Sequence, residues 1–300
     1  MKNFLLYLLF FLLPTLLFAQ DDLLKLLQNE KPKSNLPVIG MFKGNKLINI
    51  HTNETVKKKN LDVRISHLFG NVGAESGGGF HNLYGFDQSS DIRIGFHYGL
   101  TNHIMIGVSR CKRNEDLEGL IKFRLLDQTE NNSIPFSLSG FANLSYSAQD
   151  RIDYTSDSYR LVYVSQLILA RKFSSRFSLV VIPTFVHRNF VPADDDNNTF
   201  SLSGGFRFKF TPSASIIFDY SHTLKRDQLV LPHTDVIGAG IEIETGGHVF
   251  TIMFSNASGI LENDYLVNTM DSWQKGGFKF CFNISRMFKL ANDTKFTPEK

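Results

Sequence analysis

The sequence is poor in cysteine and tryptophan and contains only one long apolar run. Its 300 residues include two Cys and one Trp. After the run at residues 4–18, no apolar stretch reaches the roughly 20 residues that a membrane-spanning helix needs, so the sequence excludes a helical membrane protein. Cys111 and Cys281 fall on the polar faces of strands that we place well apart. We therefore expect free thiols rather than a disulfide.

Sequence signals for nucleic acid, metals and cofactors are also missing. The net charge is only +3 and the basic residues are scattered, so we expect no nucleic-acid partner. Residues 193–198 are acidic, yet the glycine and glutamate positions of a calcium-binding loop hold Thr199 and Gly205. The sequence has no C-x-x-C-H motif for haem, and the glycines at 77–79 lack the strand-to-helix context of a phosphate loop. We expect neither a metal ion nor a cofactor.

The sequence does contain a predicted N-terminal signal peptide and many aromatic residues. A charged start, an apolar middle and Ala19 are typical of a secretory signal peptide, which we assign to residues 1–19 with cleavage before Gln20. The 28 Phe and 9 Tyr, together with 22 Gly, favour β-structure with aromatic belts.

Apolar and polar residues alternate repeatedly from Leu61 onward. In residues 276–288, apolar side chains at 278, 280, 282, 284 and 288 share one face of an extended strand, while Lys279 falls on the other. Similar period-two runs recur about twelve times. A strand with one apolar and one polar face suits a wall between lipid and lumen. The pattern predicts an all-β fold, a transmembrane antiparallel up-and-down β-barrel of about 12 strands over residues 61–288. Closure requires the strand at Leu61 to pair with residues 276–288.

The predicted links between strands alternate strictly in length. Short links at 101–102, 127–133, 174–175, 211–213 and 246–247 take turns with long links at 70–90, 147–157, 189–198, 225–234 and 257–275. In outer-membrane barrels, short turns face the periplasm and long loops face outside. A periplasmic N-terminus then puts every long link outside. We expect the barrel in the outer membrane of a Gram-negative-type cell, exported by the signal peptide.

The residues that flank the barrel differ in character. Residues 21–30 predict a short amphipathic N-terminal helix, and residues 289–300 a polar periplasmic tail. The whole stretch at 20–60 is either a periplasmic segment or a plug of the lumen.

The plug hypothesis makes a specific claim about contacts. Residues 42–49 carry two lysines, Lys43 and Lys46. If this segment enters the barrel, we expect it to contact Glu242 and Glu244 on the lumen face.

Charged residues recur on the polar faces of the predicted strands, which would line the lumen. The lumen-lining set comprises Arg64, Arg93, His97, Lys122, Arg124, Arg207, Lys209, Asp219, Glu242, Glu244 and Lys279. Because buried charges need partners, these side chains either form a salt-bridge network that fills the lumen or line a pore that favours anions. About twelve strands lie between side-chain-filled eight-stranded barrels and water-filled porins, so barrel size leaves both interpretations open.

Several segments resemble a family of predicted outer-membrane β-barrels, domain-of-unknown-function family 5777. They are FKGNKLIN at 42–49, ISHLFG at 65–70, GFD at 85–87 before IRIG at 92–95, LARKFS at 169–174, PTFVHRN at 183–189 and IETGGHVF at 243–250. Together they run over nearly the whole mature chain. The resemblance implies an outer-membrane location and brings no known activity.

We expect a non-enzymatic barrel that acts as a narrow channel or uptake protein for a small solute, which the sequence does not identify. One alternative is a closed structural or binding barrel that presents its long loops to a partner. Another is an enzyme acting on lipid or polysaccharide, because His67, His187 and His222 lie on apolar faces near the outer strand ends. No serine that we can identify matches them, so we assign no catalytic residue. The expected partners are outer-membrane lipid and, through the phenylalanine-ended last strand, the barrel-assembly machinery.

Overall fold

The structure, a computed structural model, describes residues 34–193, 195–225 and 233–290. The predicted signal peptide, the helix expected at 21–30 and nearly all of the tail expected at 289–300 lie outside the described residues. No helix in the described part of the chain is long and apolar enough to cross a membrane.

Twelve antiparallel strands form a closed barrel, and each strand pairs with its neighbours along the chain. The strands are β1 (Asn60–Asn71), β2 (Ser89–Gly99), β3 (Ile104–Cys111), β4 (Asp116–Leu126), β5 (Ser137–Ser147), β6 (Leu161–Lys172), β7 (Phe177–Arg188), β8 (Asn198–Lys209), β9 (Ala214–Thr223), β10 (Val236–Thr245), β11 (His248–Ser255) and β12 (Lys279–Lys289). β1 closes the barrel against β12, with Leu61 opposite Phe288 and Ile65 opposite Ile284. The predicted all-β up-and-down barrel and its closure are confirmed.

The wall alternates between buried polar and exposed apolar side chains. In β8, Ser201 and Ser203 are buried, whereas Phe200 and Leu202 are 56% and 50% exposed. Because successive side chains of a strand point to opposite faces, the polar set faces the lumen and the apolar set forms the outer surface. The two cysteines, Cys111 and Cys281, are buried and free.

The links between strands divide between the two ends of the barrel. The end where β1 begins and β12 finishes, called here the terminal end, carries links 100–103, 127–136, 173–176, 210–213 and 246–247. The opposite end, called the loop end, carries links 72–88, 112–115, 148–160, 189–197, 224–235 and 256–278. The link at 112–115 is short, so the strict alternation of short and long links is wrong there. Asp91 tightens this turn by accepting the amide of Arg113 at 2.9 Å.

Candidate functional site

Residues 45–52 form a tight hairpin inside the barrel, called here the lumen hairpin. Lys46 and His51 pair antiparallel across it, and the amide of Leu47 donates to the carbonyl of Ile50 at 2.9 Å. Leu47, Ile50 and His51 are at most 2% exposed. The chain returns through residues 53–59 to β1 at the terminal end. The hairpin therefore enters the lumen from the terminal end.

Asp219 on β9 holds the tip of the lumen hairpin. Its carboxylate accepts hydrogen bonds from the amides of Ile48, Asn49 and Ile50 at 3.3, 2.7 and 3.2 Å. The side chain of Asn49 donates to the same carboxylate at 2.9 Å. Asp219 is completely buried, and a buried carboxylate is costly unless donors surround it. The hairpin and Asp219 therefore stabilise each other.

Two glycines on the lumen face leave space for the hairpin. A Cβ added at Gly238 would lie 2.5 Å from Asp219 Oδ1 and 2.8 Å from Ile48 Cγ2. A Cβ added at Gly205 would lie 2.9 Å from both Leu47 Cδ1 and Ile50 Cδ1. All of these distances are shorter than real Cβ contacts, so a larger residue at either position would push the hairpin away.

Lys122 on β4 binds the two arms of the hairpin from another side of the lumen. Its ammonium donates to the carbonyls of Asn45, Thr52 and Glu54 at 2.9, 3.1 and 3.4 Å. Lys122 is completely buried. Three carbonyls satisfy the three donors of an ammonium group. Two residues of the predicted lumen set, Asp219 and Lys122, thus bind the backbone of this segment.

A second chain segment enters the barrel from the loop end. It consists of residues 256–269 of the β11–β12 link, called here the lumen loop, and contains the short helix α1 (Glu262–Tyr265). Leu261, Asp264 and Leu266 have no exposed surface. Thr223 on the wall donates to the carbonyl of Leu266 at 2.7 Å.

Asp264 ties the lumen loop to the short link at 112–115. Its Oδ1 atom accepts from Arg113 Nε at 3.3 Å and from Asn114 Nδ2 at 2.9 Å. Burial raises the pKa of the Asp264 carboxyl to about 7, and the charge of Arg113 opposes this rise.

The lumen hairpin and the lumen loop meet at Glu262. Lys46 Nζ lies 3.0 Å and His51 Nε2 lies 3.4 Å from Glu262 Oε1. Asn143 on β5 donates to Glu262 Oε2 at 3.3 Å. Burial, followed by the charges of Lys122, Lys46 and Arg93, holds the pKa of His51 well below its ordinary value. The junction therefore contains an ammonium, a carboxylate and a neutral imidazole.

The other predicted lumen residues are spread over the wall, and most of them form ion pairs. Three pairs have short contacts: Arg93 with Glu118 at 2.6 Å, Arg207 with Glu242 at 2.7 Å and Lys279 with Asp271 at 2.6 Å. His97 Nδ1 and Arg64 Nε lie 3.6 and 3.9 Å from the same carboxylate, that of Asp62. Arg124 binds Asp127, Glu244 binds Lys43, and Lys209 is half-buried at the end of β8. The contact of Lys43 with Glu244 matches the plug hypothesis. The hypothesis does not describe the contact of Lys46. Glu242 pairs with Arg207, and Lys46 binds Glu262 instead.

Sequence reasoning missed Glu262 and Asp264 because the whole of residues 257–275 was assigned to an outer loop. A signal was present in the sequence. Leu261, Leu266 and Val267 make this link more apolar than a solvated loop requires, and all three are buried.

The three histidines proposed for an enzyme lie on the outer surface of the wall and do not meet. His67 stacks on Phe282 with ring centroids 5.5 Å apart, and His187 Nδ1 lies 2.7 Å from Asn198 Oδ1. His222 Nδ1 lies 2.9 Å from Asp235. Within the described residues, no group of three or more His, Cys, Asp or Glu side chains could hold a metal ion.

Space remains beside the hairpin at the terminal end. A cleft of about 340 Å³ lies between the chain around Lys43 and Glu54 and the wall at Asp62, Glu244 and His248.

A comparison with protein families matches residues 42–288 to a family described as "Membrane bound beta barrel domain (DUF5777)". The match includes the lumen hairpin and every residue of the barrel strands except Lys289. No curated protein sequence matches the chain.

Several solved structures are similar to this chain at low identity. The NanC porin is 10% identical with a TM-score of 0.49, covering 77% of this chain and 100% of that one. The KdgM porin in complex with disordered oligogalacturonate is 7% identical with a TM-score of 0.45, over 76% and 98%. Omp33 of Acinetobacter baumannii is 9% identical with a TM-score of 0.40, over 77% and 99%. The family match confirms the predicted resemblance, and the chain belongs to the family of membrane-bound β-barrel domains known as domain-of-unknown-function family 5777.

Proposed function

We propose that this protein is a non-enzymatic outer-membrane barrel that provides a gated, narrow pathway for small solutes. The observation that carries the proposal is that two chain segments, rather than wall side chains alone, fill the lumen. They enter from opposite ends and meet at Glu262. Displacing them would open a path between the two ends.

The size of the barrel supports this function. Eight strands enclose an interior that side chains fill, and porins of sixteen or more strands enclose a water-filled channel. Twelve strands lie between these two cases, and here the lumen hairpin and the lumen loop occupy the interior together with wall side chains. Because every strand is paired on both edges, neither segment contributes a strand to the wall. The wall can therefore persist when either segment moves.

The contacts that hold the two segments are of a kind that water can replace. Asp219 and Lys122 bind backbone amides and carbonyls, and Lys46 binds Glu262. Water offers the same donors and acceptors once the lumen is hydrated, so opening exchanges hydrogen bonds rather than losing them. Apolar packing of Leu47 and Ile50 opposes opening. The balance favours a closed resting state.

The outer surface suits the proposed location. Apolar side chains alternate outward along the strands, as lipid contact requires. Outer-membrane lipid is therefore the proposed surrounding partner. The barrel-assembly machinery is the proposed partner of β12, whose outward side chains include Phe280, Phe282 and Phe288.

Solute swelling of proteoliposomes tests the proposal. Wild-type protein is expected to admit small sugars faster than empty liposomes do, and deletion of residues 41–52 is expected to accelerate entry because it removes the lumen hairpin. A deletion of equal length at residues 21–32 serves as the matched control and should leave the rate at the wild-type level. Swelling at the empty-liposome rate for both the wild type and the hairpin deletion would contradict a solute pathway.

The closed binding barrel is the second candidate function. It is favoured by the complete burial of Ile50, Leu261 and Leu266 inside the lumen, because burial of apolar side chains stabilises the filled state. The same swelling experiment separates the two functions, since a closed barrel with a permanent core admits no solute.

A further inference from the structure

A cleft of about 190 Å³ lies at the loop end, directly above the lumen loop. Its floor contains Asn263 and Asp264, and its walls come from the β5–β6 and β7–β8 links. The cleft is separate from the hairpin junction and faces away from the terminal end. A ligand can reach it whether or not the lumen opens.

The floor of the cleft carries two buried oxygen atoms that lack hydrogen-bond donors. Asn263 Oδ1 and Asp264 Oδ2 have no partner among the described residues. Asn263 is 5% exposed and Asp264 is completely buried. Buried polar atoms are almost always satisfied in folded proteins, so two such atoms in one cleft call for donors from outside the chain.

Aromatic rings form one wall of the cleft. Phe190 lies edge-on to Tyr154 with ring centroids 5.6 Å apart, and its centroid lies 5.5 Å from that of Tyr159. Tyr159 remains 38% exposed. The Arg151 guanidinium lies over the Tyr154 and Phe190 rings, 5.0 and 5.9 Å from their centroids. The C–H face of a sugar ring can therefore pack on the parts of Phe190 and Tyr159 that Arg151 leaves uncovered.

The charges around the cleft are compensated. Each of the three lining arginines has an aspartate partner: Arg151 with Asp153 at 3.4 Å, Arg160 with Asp157 at 3.7 Å and Arg188 with Asp195 at 2.9 Å. Asp116 and Asp264 add carboxyl groups to the lining. This arrangement disfavours an anionic ligand, because no lining guanidinium lacks a carboxylate partner.

We propose that this cleft binds one ring of an uncharged saccharide, with ring hydroxyls donating to Asn263 Oδ1 and Asp264 Oδ2 and the ring packed on Phe190 and Tyr159. A hydroxyl group suits the floor because it both donates and accepts hydrogen bonds. The volume is about six times the roughly 30 Å³ that a water molecule occupies in the liquid, a size suited to a single sugar ring. Binding here is independent of the proposed solute pathway.

Saturation-transfer NMR on the detergent-solubilised full chain tests this site. The probes are the methyl glycosides of glucose, mannose and galactose, with methyl glucuronide as a charged analogue. At least one neutral glycoside should receive saturation from the protein and bind more tightly than the glucuronide. Phe190→Ala and Asn263→Leu should each weaken its apparent Kd about tenfold or more, because one removes the ring face and the other the buried acceptor.

Phe80→Ala is the matched control, since Phe80 is an 83% exposed phenylalanine on a different loop-end link; it should leave binding unchanged. Heat-modifiable mobility on gels verifies that each variant retains the folded barrel, and either variant alone suffices if the other fails to fold. The proposal is overturned if no neutral glycoside binds, if the glucuronide binds more tightly, or if binding survives in a folded Phe190 or Asn263 variant. None of these results depends on solute flux.

Discussion

At the scale of single residues, Asp219 has the largest expected effect on the lumen hairpin. Asp219→Asn replaces a carboxylate that accepts from three consecutive amides with an amide that has one acceptor and two donors. We expect the inserted hairpin to lose about 3 kcal/mol, the scale of hydrogen bonds to a charged group. Limited trypsin digestion followed by mass spectrometry should then detect cleavage after Lys46, which is 7% exposed in the wild type.

Asp235→Asn is the matched control for this experiment. Asp235 binds His222 and Tyr220 on the outer surface, so the same chemical change there should leave Lys46 protected. Equal resistance of Lys46 in Asp219→Asn and wild-type protein would show that the carboxylate does not hold the hairpin.

At the scale of elements, the strands and the lumen segments differ in how far the sequence predicts them. A strand in a barrel wall alternates between lumen and outer surface residue by residue, so its pattern is local and visible in the sequence. The inward direction of Asp219 and Lys122 follows from that pattern. Their partners do not, because backbone groups of residues 45–54 carry no sequence signature and the approach of the hairpin depends on the closed wall.

The lumen loop shows the limit of length and composition as guides. A long link between two strands is normally solvated, and residues 257–275 were assigned accordingly. In the structure, the barrel interior buries Leu261 and Leu266 and brings Glu262 to Lys46. This burial depends on where the link lies in the folded barrel. In the sequence, only the apolar residues of the link indicate it.

The lumen hairpin and the lumen loop should respond to pH in opposite directions, through His51 and Asp264 respectively. The pKa of His51 is lowered from 6.5, so a released hairpin takes up a proton below about pH 6.5 that the inserted hairpin does not, and insertion weakens as pH falls. The pKa of Asp264 is raised from 3.8 to about 7. The folded loop therefore binds this proton more readily than the unfolded loop, and its stability increases as pH falls from about 7.

Asp264→Asn isolates the histidine contribution. In this background, the hydrogen-exchange protection of the amides of Ile48, Asn49 and Ile50 should fall between about pH 7 and about pH 5, by at most roughly tenfold per pH unit after correction for intrinsic rates. The double variant His51→Gln/Asp264→Asn should show no such fall. A fall of equal size in the double variant would show that His51 is not the source of the pH response.

At the scale of the whole molecule, a closed barrel wall surrounds two chain segments, the lumen hairpin and the lumen loop. Hydrogen bonds between neighbouring strands run unbroken around the circumference, including the β1–β12 closure. The lumen hairpin and the lumen loop enter from the two ends and contact each other at Lys46, His51 and Glu262. Because they enter from opposite ends, we expect them to act as two obstacles in series to a solute.

Blocks in series give a specific prediction for conductance. Removing residues 41–52 leaves the lumen loop in the path, and replacing residues 258–269 with a short Gly-Ser linker leaves the hairpin, so each single change should give only a small rise in planar-bilayer current. The combined variant should conduct more than the sum of the two, because the larger of two series resistances limits the current. The same linker in place of residues 148–159, on a loop-end link outside the lumen segments, should have no effect. If either single change alone reaches the conductance of the combined variant, one segment is the whole gate and the other only supports it.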